Sequence, residues 1–246
     1  MFCLKECNFV LNFDFHTNLL LFYYFYINDT TVNFSFLIMK KDYLRIIFYK
    51  KLSKYTDNTA FINNTFDELI RFYSSDNRQY HGLTHIIKLL RLFEEHKSSI
   101  QNEDAVFFAI WFHDAIYSTW RDDNEEKSAF WAKEVLKETT MPVETIEKVV
   151  RFIQATKTHE SDNDTDLNFF LDFDMSILGS DEAIYDVYAR QIREEFSLTP
   201  SFLYKRGRRK VLSALLERLH IYHTYVFQNA MEAKAKENIQ RELNKL

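Results

Sequence analysis

From Met39 onward, apolar residues recur at three- and four-residue intervals, the period of one helix face. Residues 40–55 and 60–74 open the series, the second with Phe61, Ile62, Phe66, Leu69, Ile70 and Tyr73. Residues 83–97 place Ile86, Ile87, Leu90 and Phe93 on one side. Residues 103–117 are apolar nearly all round, through Val106, Phe107, Phe108, Ile110, Trp111 and Phe112, as expected of the central helix of a bundle. Further helices are predicted over 124–139 and 142–157, the latter with Pro142 in a first turn, where its missing N–H costs nothing. A polar loop over 161–166 precedes short helices over 167–178 and 181–197. Thr199-Pro200-Ser201 breaks the chain before longer helices over 201–218 and 221–244. The pattern predicts an all-α helical bundle running as one domain over residues 39–246, with no internal repeat.

Residues 1–38 read differently. They are rich in Phe, Tyr, Leu and Asn and carry one Lys and no Arg. Their longest apolar run, residues 19–27, is nine residues, where a membrane span needs roughly 20. Asn12, Asp14 and His16 interrupt what would be a signal-peptide core, and no small-residue cleavage site follows. The expectation is an N-terminal extension outside the domain, poorly ordered or translated from upstream of a natural start at Met39. The alternative is an apolar arm that packs on the domain or on a lipid surface.

Composition agrees with the helical pattern. Three Gly and two Pro in 246 residues leave few turn formers for a sheet protein, and 46% hydrophobic residues suffice for a sizeable core. A net charge of −5 argues against binding a nucleic-acid polymer or an anionic membrane. The only cysteines are Cys3 and Cys7, so no disulfide staples the core; a reducing, cytoplasmic compartment is expected. Cys3 and Cys7 lack the second ligand pair of a zinc site.

Candidate chemistry lies where charge meets apolar sequence. His81 and His85 are four residues apart, on one face if a helix begins before His81, while only His85 is helical if it begins near Leu83. His113-Asp114 ends the most apolar helix, where a charged Asp is costly unless paired or bound to a cation. Asp172 and Asp174 lie inside Leu171–Leu178, again an apolar stretch, and His159 follows the 142–157 helix. Each has a structural alternative: a core histidine, an Asp capping a helix, or Asp114 paired with Arg121 or Arg193. Mixed imidazole and carboxylate donors suit Mn²⁺, Fe, Co²⁺, Ni²⁺ or Zn²⁺ ahead of Mg²⁺.

The order His85, His113-Asp114, Asp174 resembles the HD superfamily of metal-dependent phosphohydrolases. Arg78-Gln79-Tyr80-His81-Gly82-Leu83-Thr84-His85-Ile86 looks like the opening block of its bacterial predicted-phosphohydrolase subgroup. Trp111 to Tyr117, Asp123 to Ala129 and Phe170 to Gly179 look like the blocks that follow, and the resemblance extends from about residue 60 to 243. It implies an HD-domain-like bundle with one divalent metal ion on His85, His113, Asp114 and Asp174, leaving room for a second. It also implies metal-activated water attacking a phosphomonoester or nucleotide. Asp114 and Glu125 are then the catalytic candidates, with Glu125 as general acid/base or, structurally, an acidic first-turn residue. Arg78, His81, His159, Arg193 and Arg208 are candidates for substrate phosphate, Arg for its bidentate fork. The basic run 205–210 has a solvated face as its alternative. Two other readings are a non-catalytic metal- or nucleotide-binding module and a di-iron oxygenase of the same fold. The expected partner is a small phosphorylated substrate, with homo-oligomerisation left open.

Overall fold

The computed structural model describes residues 34–246, with side chains from residue 41. The Cys3/Cys7 pair, the apolar run 19–27 and most of the expected extension lie outside the described residues. Ten α-helices and no strand occur among the described residues: α1 (Phe34–Leu52), α2 (Thr59–Tyr73), α3 (Leu83–His96), α4 (Glu103–Phe112), α5 (Asn124–Leu136), α6 (Val143–Ala155), α7 (Thr165–Met175), α8 (Glu182–Glu195), α9 (Ser201–Glu217) and α10 (Tyr225–Lys245). Short 3₁₀ turns follow α3 (Lys97–Ser99) and α7 (Ser176–Gly179). No described helix is long and apolar enough to cross a membrane. Backbone contacts divide the chain inside α1, between Ile47 and Phe48; the unit Phe48–Leu246 is an all-helical bundle and carries every residue discussed below.

Two boundaries differ from the sequence expectation in ways that matter. The first helix begins at Phe34, inside the segment read as an extension. The central helix ends at Phe112, not at residue 117, so His113 and Asp114 stand in the turn that follows it. A turn frees both side chains to point one way, which consecutive helical residues about 100° apart do not.

α4 forms the centre, as its all-round apolarity requires: Ala105 to Phe112 are all buried. It packs against α3, α5, α6 and α7. Phe48 and Phe66 pack on Trp111 and on each other, and Phe108 on Phe48, with ring centroids 5.3–6.2 Å apart, mostly edge-on, the geometry that ring quadrupoles favour. The Tyr73 hydroxyl donates to the Trp111 carbonyl at 3.0 Å, near the helix C-terminus, where carbonyls lack helical partners.

Side chains supply the caps. Asn58, Asn102, Asp164 and Thr224 accept backbone N–H groups in the first turns of α2, α4, α7 and α10. Asp166, buried in α7, accepts from Gln101 N and Asn102 N, both at 2.7 Å, and so ties α7 to the start of α4. Gly179 allows a close approach to α10: a Cβ there would lie 2.6 Å from the Met231 Cβ and 2.9 Å from the Met231 carbonyl oxygen.

The other end of α4 carries an ion cluster. Asp104 accepts from Lys51 at 2.6 Å, the Tyr55 hydroxyl at 2.6 Å and Lys54 at 3.1 Å. Burial alone would raise the Asp104 carboxyl; the bonds from Lys51, Tyr55 and Lys54 outweigh it and hold the group below its ordinary value. A depressed carboxylate contributes stability that is full above about pH 4, its unfolded value, and lost as pH falls through the folded one. Lys51→Met should therefore lower stability at neutral pH by about 1–3 kcal/mol and flatten the acid limb of stability against pH. Denaturant titrations at stepped pH measure both; an acid limb as steep as in the parent protein would contradict this role.

Candidate metal centre

Four side chains from three separated segments meet at the end of α4. His85 lies in the first turn of α3, which begins at Leu83, so His81 precedes the helix and only His85 is on it. His113 and Asp114 follow α4, and Asp174 lies near the end of α7. The Nε2 atoms of His85 and His113 face each other at 3.3 Å. His113 Nε2 is 3.1 Å from Asp114 Oδ2, and Asp174 Oδ1 is 3.1 Å from His85 Nε2 and 3.8 Å from His113 Nε2. His85 and His113 are buried and the two carboxylates nearly so.

This donor set fits a cation. Bonds of about 2.0–2.1 Å at a tetrahedral angle set neighbouring donors about 3.3 Å apart, close to the spacing seen here. His113 Nδ1 donates to the Ile110 carbonyl at 3.0 Å, which turns Nε2 toward the cluster. His85 Nδ1 is buried without a partner. The buried His85–His113–Asp114 group could hold a metal ion, with Asp174 beside it. The protein groups alone strain the titration of the cluster. Burial opposes a charged His113, but the Asp114 and Asp174 carboxylates outweigh it and push the imidazole up to about 9. Burial likewise opposes ionisation of Asp114 and Asp174, and the neighbouring histidines reverse it, holding both below the usual carboxylate range. His85 goes the other way: burial wins and lowers it.

His159 approaches from the opposite side, its Nε2 2.9 Å from Asp174 Oδ2. Its backbone is left-handed, φ 49°, where a non-glycine residue costs about 1 kcal/mol or more. His159 N closes the end of α6 on the Ala155 carbonyl at 2.8 Å, and Arg218 and His223 both donate to the His159 carbonyl, at 2.9 and 3.2 Å. Three segments thus over-determine a strained residue whose ring is held against Asp174.

His81 is held by a carboxylate from far along the chain. Glu195, at the end of α8, accepts from Tyr80 N at 2.8 Å and His81 N at 2.9 Å with one oxygen. With the other it pairs with His81 Nδ1 at 2.7 Å and accepts from the Tyr117 hydroxyl at 2.9 Å. No local signal marks it, because its donors are 78 to 115 residues away along the chain. Burial would lower His81, but the Glu195 bond and the charges of Asp114, Glu195 and Asp174 raise it. The protonated imidazole is therefore favoured relative to a free one, with Nε2 left over.

The arginines are placed differently from the sequence expectation. Arg78 donates to the carbonyls of His81 (3.2 Å), Asp114 (2.5 Å) and Ala115 (2.9 Å), stapling the His81 loop to the His-Asp turn. Arg193 donates to Phe196 and Thr199 carbonyls, and Arg208 is locked to Glu242 at 2.8 and 3.0 Å; neither makes an ion pair or hydrogen bond with the cluster. Arg121 pairs with Asp123 and not with Asp114. Asp172 stands apart from the cluster and accepts from His223 N and Thr224 N, each at 2.7 Å, and the Thr224 hydroxyl at 2.6 Å, capping α10 from outside. Glu125 is half-buried in the first turn of α5 with no hydrogen-bond partner among the described residues. That turn is tied back to the His-Asp segment by Ile116 N to Ser128 Oγ (3.0 Å) and Ser118 N to Asn124 Oδ1 (3.1 Å), whereas Glu126 is paired with Lys157.

No family model matches the chain, and comparisons with curated proteins and with solved structures likewise return no match.

Because His159→Gly and His159→Ala both remove the imidazole, their difference isolates the backbone. Thermal melts should place the Gly variant about 1 kcal/mol above the Ala variant, since only Gly relieves the left-handed strain. Equal stabilities would mean that residue 159 is not strained.

Proposed function

We propose that this protein is a metal-dependent phosphohydrolase acting on a small phosphomonoester or nucleotide, of the HD type that its sequence blocks resemble. The observation that carries the reading is the meeting of His85 Nε2, His113 Nε2, an Asp114 oxygen and Asp174 Oδ1 at neighbour distances of 3.1–3.8 Å. Such a set of two imidazoles and two carboxylates suits a divalent transition metal. A divalent ion bound there supplies Lewis acidity at the phosphoryl group and acidifies a water for attack.

The chain's own residues divide the remaining work. With an ion bound, His85 and His113 would present neutral Nε2 lone pairs to it, and the Asp114 and Asp174 carboxylates would offset its charge. His81, whose protonated form Glu195 and the cluster carboxylates favour, can donate from Nε2 to the departing alkoxide. Glu195 acts through His81: it fixes the ring by Nδ1 and holds the loop by two backbone N–H groups, as an orienting carboxylate does in a histidine dyad. Arg78 keeps the His81 loop and the Asp114 turn in register. Glu125, eleven residues after Asp114 in sequence and without a hydrogen-bond partner among the described residues, is the remaining candidate base.

Purified protein should contain about one transition metal ion per chain by mass spectrometry, and turn over at least one phosphomonoester in a screen with Mn²⁺, Co²⁺, Ni²⁺ or Mg²⁺. His113→Ala and Asp174→Asn should each lose the metal and reduce turnover by about 10³-fold or more. Bound metal with no turnover of any phosphoester would favour the non-catalytic module instead.

Glu195→Gln should keep its metal but lower kcat by about 10²-fold with little change in KM. The alkaline limb of activity should move to lower pH, because His81 loses the carboxylate that raises it. An unchanged limb would remove His81 from the acid role.

A further inference from the structure

A cavity of about 380 Å³ opens between α8, the start of α9 and the end of α10, lined by residues none of which belongs to the metal cluster. Its charges do not cancel. The two side-chain carboxylates of the lining are engaged: Asp186 takes Arg241 at 3.0 Å and Lys245 at 3.7 Å, while Glu242 takes Arg208 and the Tyr185 hydroxyl at 2.6 Å. Arg190 and Lys205 line the same cavity, and neither forms an ion pair or hydrogen bond with a described residue. Arg193 adds a third cation, its guanidinium 4.7 Å from the Tyr204 ring centroid.

Two further observations point to an occupant. The Tyr204 hydroxyl has no hydrogen-bond partner among the described residues and, on the cavity wall, is open to a ligand oxygen. The 17-residue helix α9 also begins here. Pro200 stands at its N-cap, no side chain caps it, and Ser201 faces the cavity. Unfilled first-turn N–H groups and the positive end of a helix dipole favour an anion.

We propose that this cavity binds a small phosphate-bearing anion at a site separate from the metal cluster. Two unpartnered cations, Arg193, a free hydroxyl and a helix N-terminus match a group with high negative charge and several acceptor oxygens. A single carboxylate would leave most of these donors empty. The Tyr185 and Tyr204 rings and Ala189 give the same cavity an apolar wall for an attached organic group, and its volume suits a small ligand. The site does not depend on the hydrolase reading.

Calorimetric titration of the full chain with inorganic pyrophosphate in EDTA tests this, because the chelator leaves the metal cluster no ion with which to hold phosphate. Binding should saturate at one site. The double variant Arg190→Ala/Lys205→Ala removes exposed, unpartnered side chains, so the fold is kept; its affinity should fall by about tenfold or more. Tyr204→Phe, which keeps the ring, should weaken binding several-fold. His113→Ala should bind pyrophosphate as the parent does. The proposal is overturned by absent saturation in the parent at millimolar pyrophosphate, by undiminished binding in the double variant, or by loss of binding in His113→Ala. A failed phosphatase screen would sink the hydrolase reading and leave this result standing.

Discussion

The structure turns on keeping two carboxylates, Asp114 and Asp174, ionised at the nearly closed end of an aromatic core. Removing a carboxylate from water costs several kcal/mol unless opposite charge and hydrogen bonds replace the lost hydration. Here the replacement is imidazole: His113 beside Asp114, and His85 and His159 on the two oxygens of Asp174. Such a cluster is costly as a structural device and well suited to a cation. The same low dielectric that makes the charges expensive strengthens their pull on an ion.

Around that cluster, one device recurs. Four carboxylates each accept two consecutive backbone N–H groups from another segment: Asp166 from Gln101 and Asn102, Asp172 from His223 and Thr224, Glu195 from Tyr80 and His81, and Glu232 from Ile221 and Tyr222. A chain with three Gly and two Pro has few residues that hold a turn by their own backbone preference. Remote carboxylates do that work instead, and they make each loop depend on a helix elsewhere. The His81 loop, the start of α4 and the start of α10 are all held this way. The strained His159 belongs to the same logic: Arg218 and His223 hold its carbonyl, and the ring is thereby presented to Asp174.

The two candidate sites contrast in how their charges are met. At the His/Asp cluster each carboxylate has an imidazole nitrogen within 4 Å, and donor atoms from three segments face one another. In the cavity beside α9 the two side-chain carboxylates are already engaged and two cations are not. One site asks for a cation and the other for an anion, within one bundle of net charge −5.

Much of the fold was legible in the sequence because helix periodicity is a local property. The unbroken apolarity of residues 105–112 marked the central helix, and the polar run 161–166 marked the loop before α7. The costly His-Asp doublet and Asp174 were visible for a similarly local reason: charge stood inside apolar sequence. What the periodicity could not decide was where α4 stops, since Ala115, Ile116 and Tyr117 continue the apolar run beyond the turn. Nor could it reveal that Glu195 holds His81, that Arg78 binds carbonyls, or that Arg208 is committed to Glu242. Each of those depends on which segments lie within 3 Å after folding, a through-space relation between residues 34 to 115 apart in the chain. Sequence by itself determined the helices and the residue types able to bind an ion; only tertiary packing decided which charges face one another, because pairing energy falls off with distance in space and not with separation along the polymer.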